Sequence, residues 1–312
     1  MNIKIYSRED KDTWDYFVKN SKNSHFMFLR DYIEYHSDRF QDMSLVIQDD
    51  SNNWIGILPG NIDNNILYSH QGLSFGGLCI GKKATTALVL EMFDSLLKFL
   101  KSTVGAKAIL YKRIPDFYAS YPSQEDLYAL FINKASLIRR DVNVIIDMDD
   151  PYPFSKMRNR RIKKALKEEI EIEEIFLLDK FWDLLNKVLK ANHGAKPAHS
   201  LNEMQSLKDS FPENIRCFVG KKNKKIIAGT LVFINRNVVH TQYLASNEEG
   251  RSLSALDIVI NHLVNNVFNK MKYFSFGIST ENDGLYLNNG LINQKESFGA
   301  RAIAHDFYRI NI

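Results

Sequence analysis

Seven cations crowd into twelve residues: Lys156, Arg158, Arg160, Arg161, Lys163, Lys164 and Lys167. Arg158 and Arg161 stand three apart, which on a helix puts them on one face. Two guanidiniums on one face can grip a diphosphate bidentately, which ammonium groups do not do. Glu168, Glu169, Glu171, Glu173 and Glu174 follow at once, so the plainer reading is a solvated helix whose cations pair with those acids. We expect a division of labour. Arg158 and Arg161 hold the phosphates of a nucleotide-linked acceptor, while Lys163, Lys164 and Lys167 pair with the glutamates. No aromatic residue is interleaved with the cations, so stacking on single-stranded RNA is not expected here.

Three other groups of residues could carry chemistry. Strand alternation over Val238–Ala245 puts His240 and Gln242 on one face and Tyr243 on the other. An imidazole can take a proton from an amine, and a phenol can give one to a leaving group. The plainer reading, half-buried strand side chains satisfied by neighbours, applies to at least one of the two. His199 precedes Ser200-x-x-Glu203, a capping box that starts a helix, and His199 beside that cap could face a cleft. A Ser/His/Asp triad is possible by inventory, but no Gly-x-Ser-x-Gly elbow occurs. His70 opens a glycine-rich loop, Gly72–Gly81, whose first part lacks the Gly-Lys-Ser/Thr ending of a phosphate loop and the spacing of a dinucleotide fingerprint. It reads as a tight loop needing positive φ or as an acceptor pocket. No Cys-x-x-Cys, His-Glu-x-x-His or EF-hand pattern occurs and the eight histidines are scattered, so no metal site is expected.

The elements that must position these groups follow from periodicity. The chain has 312 residues, 45% apolar and 25% charged, enough for two cores. The net charge is +4, short of a dedicated nucleic-acid binder, and no DNA partner is expected. Residues 1–150 carry 17 Lys/Arg against 20 Asp/Glu, a balance of −3, and the remainder balances at +7. An anionic ligand should favour the second half or the seam. Cys79 and Cys217 each lie in an apolar run and read as buried free thiols of a reducing compartment. Neither a secretory signal nor a membrane-spanning stretch is evident, so a cytoplasmic location is expected.

The first half reads as strands at Met43–Gln48, Trp54–Leu58 and Ile66–Ser69, a helix over Thr85–Leu100, a strand at Ala106–Tyr111, a helix at Glu125–Ala135 and a strand at Val142–Met148. The second repeats that order: strands at Ile215–Gly220, Ile226–Asn235 and Val238–Ala245, a helix from Leu253, a strand at Tyr273–Ile278, a helix over Leu287–Phe298 and a strand at Ala302–Ile310. We read an internal duplication. Asp149-Asp150-Pro151-Tyr152-Pro153 is the boundary candidate, dividing domains 1–150 and 151–312.

Three meandering strands, a crossover helix and then strand-helix-strand resemble the GNAT acyltransferase fold. The loop before the crossover helix normally carries Gln/Arg-x-x-Gly-x-Gly/Ala, whose N–H groups hold the donor's pyrophosphate at a helix N-terminus. Here it reads Arg251-Ser252-Leu253-Ser254-Ala255-Leu256, with serine and leucine where small residues are usual. A tandem pair of this length is similar to the FemAB-like acyltransferases. The resemblance runs through Ser69–Gly77, Tyr121–Tyr128, Arg158–Ala165, Pro197–Ser200, His240–Tyr243 and Gln294–Gly299. It implies α/β architecture with mixed sheets, as two GNAT-like domains, the first on the acceptor side and the second holding donor and catalytic centre.

It also implies roles. Arg251, Ser252, Ser254 and Ala255 hold the donor, acetyl-CoA or another acyl-CoA. Lys295, in Lys-x-x-Phe-Gly, stabilises the oxyanion, unless it is an ordinary solvent-facing helix lysine. His240 and Tyr243 line the reaction cleft, and Arg158, Arg161, His70 and His199 serve the acceptor. The expected activity is transfer of an acyl group to an amine of a sugar nucleotide or cell-envelope precursor. The alternatives are an aminoacyl-tRNA-dependent ligase and a catalytically inactive binding protein, the latter favoured by the missing glycines.

Overall fold

The apolar positions between Leu88 and Leu100 recur at helical spacing, and the chain is helical there. Thr85 caps the helix by accepting from the Leu88 amide, and Val89, Met92, Phe93 and Leu96 form its buried face. Each such side chain contributes roughly 1.5–3 kcal/mol when fully buried. The computed structural model describes residues 1–312, apart from the His193 side chain. Two compact units form: Met1–Asp141 with Asn282–Leu285 and Ala304–Ile312, and Val142–Glu281 with Tyr286–Ile303.

The first half of the chain runs β1 (Asn2–Ile5), α1 (Lys11–Asn20), α2 (Arg30–Ile33), β2 (Leu45–Gln48), β3 (Trp54–Leu58), β4 (Asn61–Asp63), β5 (Ile66–Tyr68), β6 (Cys79–Ile80), α3 (Thr86–Phe99), β7 (Ala108–Lys112), α4 (Glu125–Ile132) and β8 (Ser136–Asp147). In the first unit β1, β2, β3 and β6 form an antiparallel sheet, and β4 and β5 form a hairpin whose second strand runs parallel to β7. Leu45, Ile47, Leu58, Met92, Phe93 and Ile109 lie in one core.

The second half runs α5 (Lys156–Ala165), β9 (Glu171–Ile175), α6 (Asp179–His193), α7 (Leu201–Ser210), β10 (Ile215–Lys222), β11 (Lys225–Asn235), β12 (Val238–Ser246), α8 (Glu248–Ser252), α9 (Ala255–His262), β13 (Tyr273–Ile278), β14 (Thr280–Glu281), β15 (Tyr286–Leu287), α10 (Asn289–Glu296) and β16 (Arg301–Asn311). In the second unit β9 to β12 form an antiparallel meander, and β12 then runs parallel to β13. Asn223 and Lys224 both have positive φ, the geometry of the two-residue turn that joins twisted strands. Val232, Val239, Phe274 and Phe276 pack on α9 through Val259 and Ile260 and on Leu263 just beyond it.

From β1 to β8, and again from β9 to β16, the outline is strand, two helices, meander, helix, strand, helix, strand. The final strands change places. From Val142 onward β8 pairs with β13 in the second unit, and β16 pairs with β7 in the first. The division between units thus falls inside β8, and Asp149–Pro153 lies within the second unit. Several elements were not foreseen: β1, α1, β4, β6, β9 and α6. Of these α6 carried a readable signal, since Leu178, Phe181, Trp182 and Leu185 are buried at helical spacing.

Candidate active site

Strands β12 and β13 pair only at Val238–Tyr273, Val239–Phe274 and His240–Ser275, and then part. His240 therefore stands at the fork. On its other edge β12 carries a bulge. Thr241 pairs with Val232 and Tyr243 with Leu231, leaving Gln242 as the extra residue. His240 pairs with Phe233 and Tyr243 with Leu231, two residues apart on β11, so His240 and Tyr243 share a face. This corrects the simple alternation, which put them on opposite faces; one inserted residue resets the period.

The His240 ring is held by its surroundings. Its Nδ1 lies 3.0 Å from the Ser275 hydroxyl. Gly277, at φ +73°, presses against it; a Cβ there would lie 3.0 Å from His240 Cε1. Lys295 reaches the same place from α10. It is 5% exposed, which overturns the solvent-facing reading. Its ammonium donates to the carbonyls of Gly277, at 3.0 Å, and Ile278. An ammonium has three donors, so one remains for an acceptor such as an oxyanion. Burial pushes Lys295 down to about 8.

Tyr243 and His199 form a second pair. The phenol oxygen lies 2.7 Å from His199 Nδ1, and Trp182 meets the Tyr243 ring edge-on at 5.3 Å. Burial raises the Tyr243 phenol above its ordinary value, so it keeps a proton to donate at neutral pH. The cap beside His199 forms both of its expected bonds: Ser200 N to Glu203 Oε2 at 2.7 Å and Glu203 N to Ser200 Oγ at 3.2 Å.

Further along β12 a cavity of about 840 Å³ opens between α5, the end of β12, the α8–α9 loop and α10. Arg161, Lys164, Ser246, Arg251, Ser252 and Ser254 are among its lining residues. Arg251 is anchored by its bond to the Ser246 carbonyl at 2.8 Å. Ser252 turns its hydroxyl back onto Glu249 O, and Ala255 is buried at the first position of α9. Ser254, where the GNAT pattern has glycine, adopts φ +58°. That is the left-handed region glycine enters without cost, so the loop keeps the glycine-type backbone under a serine. The N–H groups heading α9 and the helix dipole favour an anion there. Gly250 was missed, though it adjoins Arg251: a Cβ there would lie 2.2 Å from Ile227 O, so only glycine lets α8 pack this closely on β11.

The expected twin grip of Arg158 and Arg161 does not form. Arg158 is 2% exposed. It donates to Asp257, to Ser297 Oγ at 3.0 and 2.6 Å and to Gln294 O at 3.3 Å, and it lies over the Phe298 ring at 4.0 Å. It is a strut joining α5, α9 and the end of α10. Burial raises the Asp257 carboxyl, and Arg158 opposes the rise. Arg161 is exposed. The glutamates also differ from expectation. Glu168 pairs with Lys222, Glu173 with Lys221 and Glu174 with Arg216. The segment Glu171–Ile175 is a strand beside β10, so its acids meet the cations of β10 rather than those of α5.

His70 belongs to the first unit. It is buried, at φ +70°, and stacks on His36 with centroids 4.9 Å apart. Lys112 holds this loop by donating to the carbonyls of His70, Gln71 and Leu73. That geometry fits the tight-loop reading, because the imidazole is packed away and the lysine serves the backbone. Among the described residues no group of three or more His, Cys, Asp or Glu side chains could hold a metal ion, and no helix is long and apolar enough to cross a membrane.

The fold is that of the FemAB-like GNAT acyltransferases. The chain superposes on the crystal structure of FemX with a TM-score of 0.70 at 12% identity, covering 100% of this chain and 98% of that one. It superposes on L-PGS from Bacillus licheniformis with a TM-score of 0.62 at 11% identity, covering 99% and 93%. A conserved protein of unknown function from Bacteroides thetaiotaomicron gives 0.64 at 13% identity, with full coverage of both chains. Residues 155–283 match the acetyltransferase (GNAT) domain, so the chain carries an N-acyltransferase domain of the GNAT type. No curated protein sequence matches the chain.

Proposed function

We propose that the protein transfers an acyl group from acyl-CoA, with acetyl-CoA the leading donor, to an amine of a sugar nucleotide or cell-envelope precursor. The observation that carries this reading is the layout of β12: His240 and the Lys295 ammonium at its fork from β13, and an anion-favouring loop at its far end. Across the bulge the β11 partners of His240 and Leu244 are three positions apart, so about 10 Å of strand separates His240 from Leu244, which lines the cavity. The donor's pyrophosphate would sit against Arg251 and the start of α9, and its acyl carbonyl at the fork. The amine attacks the carbonyl directly, His240 takes its proton, Lys295 and backbone N–H groups stabilise the oxyanion, and Tyr243 protonates the leaving thiolate. Arg161 would serve the acceptor's phosphates. On this reading the second unit supplies the donor site and the catalytic centre.

Calorimetric titration with acetyl-CoA tests the donor. Saturable binding that weakens in Arg251→Ala supports it. No binding at millimolar ligand would favour the second reading, an aminoacyl-tRNA-dependent ligase, for which the cations Arg161, Lys164 and Arg251 around one cavity speak. Absence of turnover with either donor would leave an inactive GNAT-like binding protein.

A further inference from the structure

We propose that Asn143 and Ser275 are positioning residues that hold His240 in the tautomer protonated on Nδ1, making Nε2 its proton-accepting atom. The inference rests on the reading of His240 as the base. All the residues lie in the second unit, on three neighbouring strands: Asn143 on β8, Ser275 on β13 and His240 on β12. Ser275 is fully buried and Asn143 is 5% exposed, so water does not compete for these bonds.

The argument is a count of donors and acceptors. A serine hydroxyl has one proton and two acceptor sites. The Ser275 proton goes to Asn143 Oδ1 at 3.2 Å. One acceptor site takes the Gly277 N–H at 3.3 Å. What remains toward His240 Nδ1, 3.0 Å away, is the second acceptor site. The ring nitrogen must therefore bring the proton, and in a neutral imidazole the other nitrogen is then the basic one. When the base takes a proton from the amine, it goes to Nε2, while Nδ1–H stays on Ser275 and steadies the imidazolium. The φ +73° bend at Gly277 contributes twice, presenting its N–H to Ser275 and its carbonyl to Lys295.

Nitrogen-15 NMR on the full chain with labelled histidine decides this without any substrate. His240→Gln identifies the ring signals by their loss. We expect a protonated Nδ1 and an unprotonated Nε2 in the wild type. In Asn143→Leu the Ser275 proton is released to turn toward the ring, and the signals should exchange character. Ser275→Ala should also lose the Nδ1–H preference, which provides a second route should Asn143→Leu fail to fold. A wild-type ring protonated on Nε2 would overturn the proposal; it would mean that the Asn143 amide presents its NH2 group to Ser275. An unchanged tautomer in both variants would overturn it too. If acetyl-CoA fails to bind while the ring still reports Nδ1–H, the donor reading falls and the tautomer assignment stands.

Discussion

The ammonium of Lys295 donates to the carbonyl of Gly277 at 3.0 Å, and the same glycine packs on the ring of His240. An ammonium and an imidazole are thus joined through one residue at the point where two parallel strands part. Lys295→Met keeps most of the stem and removes the charge. Turnover with acetyl-CoA should fall by roughly a hundredfold or more, the usual effect of deleting one oxyanion donor. Wild-type turnover in the folded variant would make Lys295 a support for the Gly277 bend alone.

The same lysine sets a pH dependence. Burial lowers it to about 8, and its proposed role needs the cation. Turnover should therefore decline as pH rises through about 8. Lys295→Arg, whose guanidinium stays charged throughout, should lose that alkaline limb even where its absolute rate is lower. A pH–rate profile of the two proteins checks this.

Arg158 and Arg161 should separate cleanly. Arg158→Ala leaves Asp257 buried without its partner, a loss of roughly 3–5 kcal/mol that thermal or urea unfolding will show. Arg161→Ala should leave stability unchanged and raise the acceptor's KM by roughly tenfold, the effect of losing a charged hydrogen bond. Equal effects of the two substitutions on stability would contradict the strut.

The stacked His36–His70 pair makes the first unit sensitive to acid. Burial lowers both rings, His70 to about 3, and Arg30, Arg39 and Lys112 add to this while Asp38 and Asp42 oppose it. Backbone hydrogen bonds with Ile33 and Gly72 also oppose the lowering at His36. A histidine with a depressed folded pKa is neutral when folded but takes up protons when unfolded. Stability should thus be intact above about pH 6.5 and fall as pH drops toward 3, with His70 contributing up to roughly 1.4 kcal/mol per pH unit and His36 acting in the same direction. Urea midpoints at pH 7 and pH 4.5 measure it, and His70→Gln should flatten the slope.

Ser254→Gly tests the loop. A left-handed residue other than glycine costs about 1–2 kcal/mol, and glycine's extra freedom when unfolded returns roughly 0.5–1 kcal/mol of that. The net expectation is a small gain in stability with donor binding retained. A loss of stability would mean that the serine side chain supports the loop.

What the amino-acid order alone determined is local. The α3 stripe, the meander β10–β12 and the Ser200–Glu203 cap were all legible, because each depends on neighbours within a few residues. So was the presence of Arg251, His240 and Lys295 in a GNAT-like order. Tertiary structure decided the rest. Arg158 is consumed by Asp257, 99 residues away, and no helical pattern records which acid a cation will meet. The extra residue at Gln242 turns His240 and Tyr243 onto one face, since a bulge depends on the partner strand's register. Lys295 is buried because the carbonyls of Gly277 and Ile278, exposed by a break in β13 pairing, await it. Strands β8 and β16 change places although each has an ordinary strand pattern. Periodicity states that a face must be covered, while only the assembled chain settles what covers it.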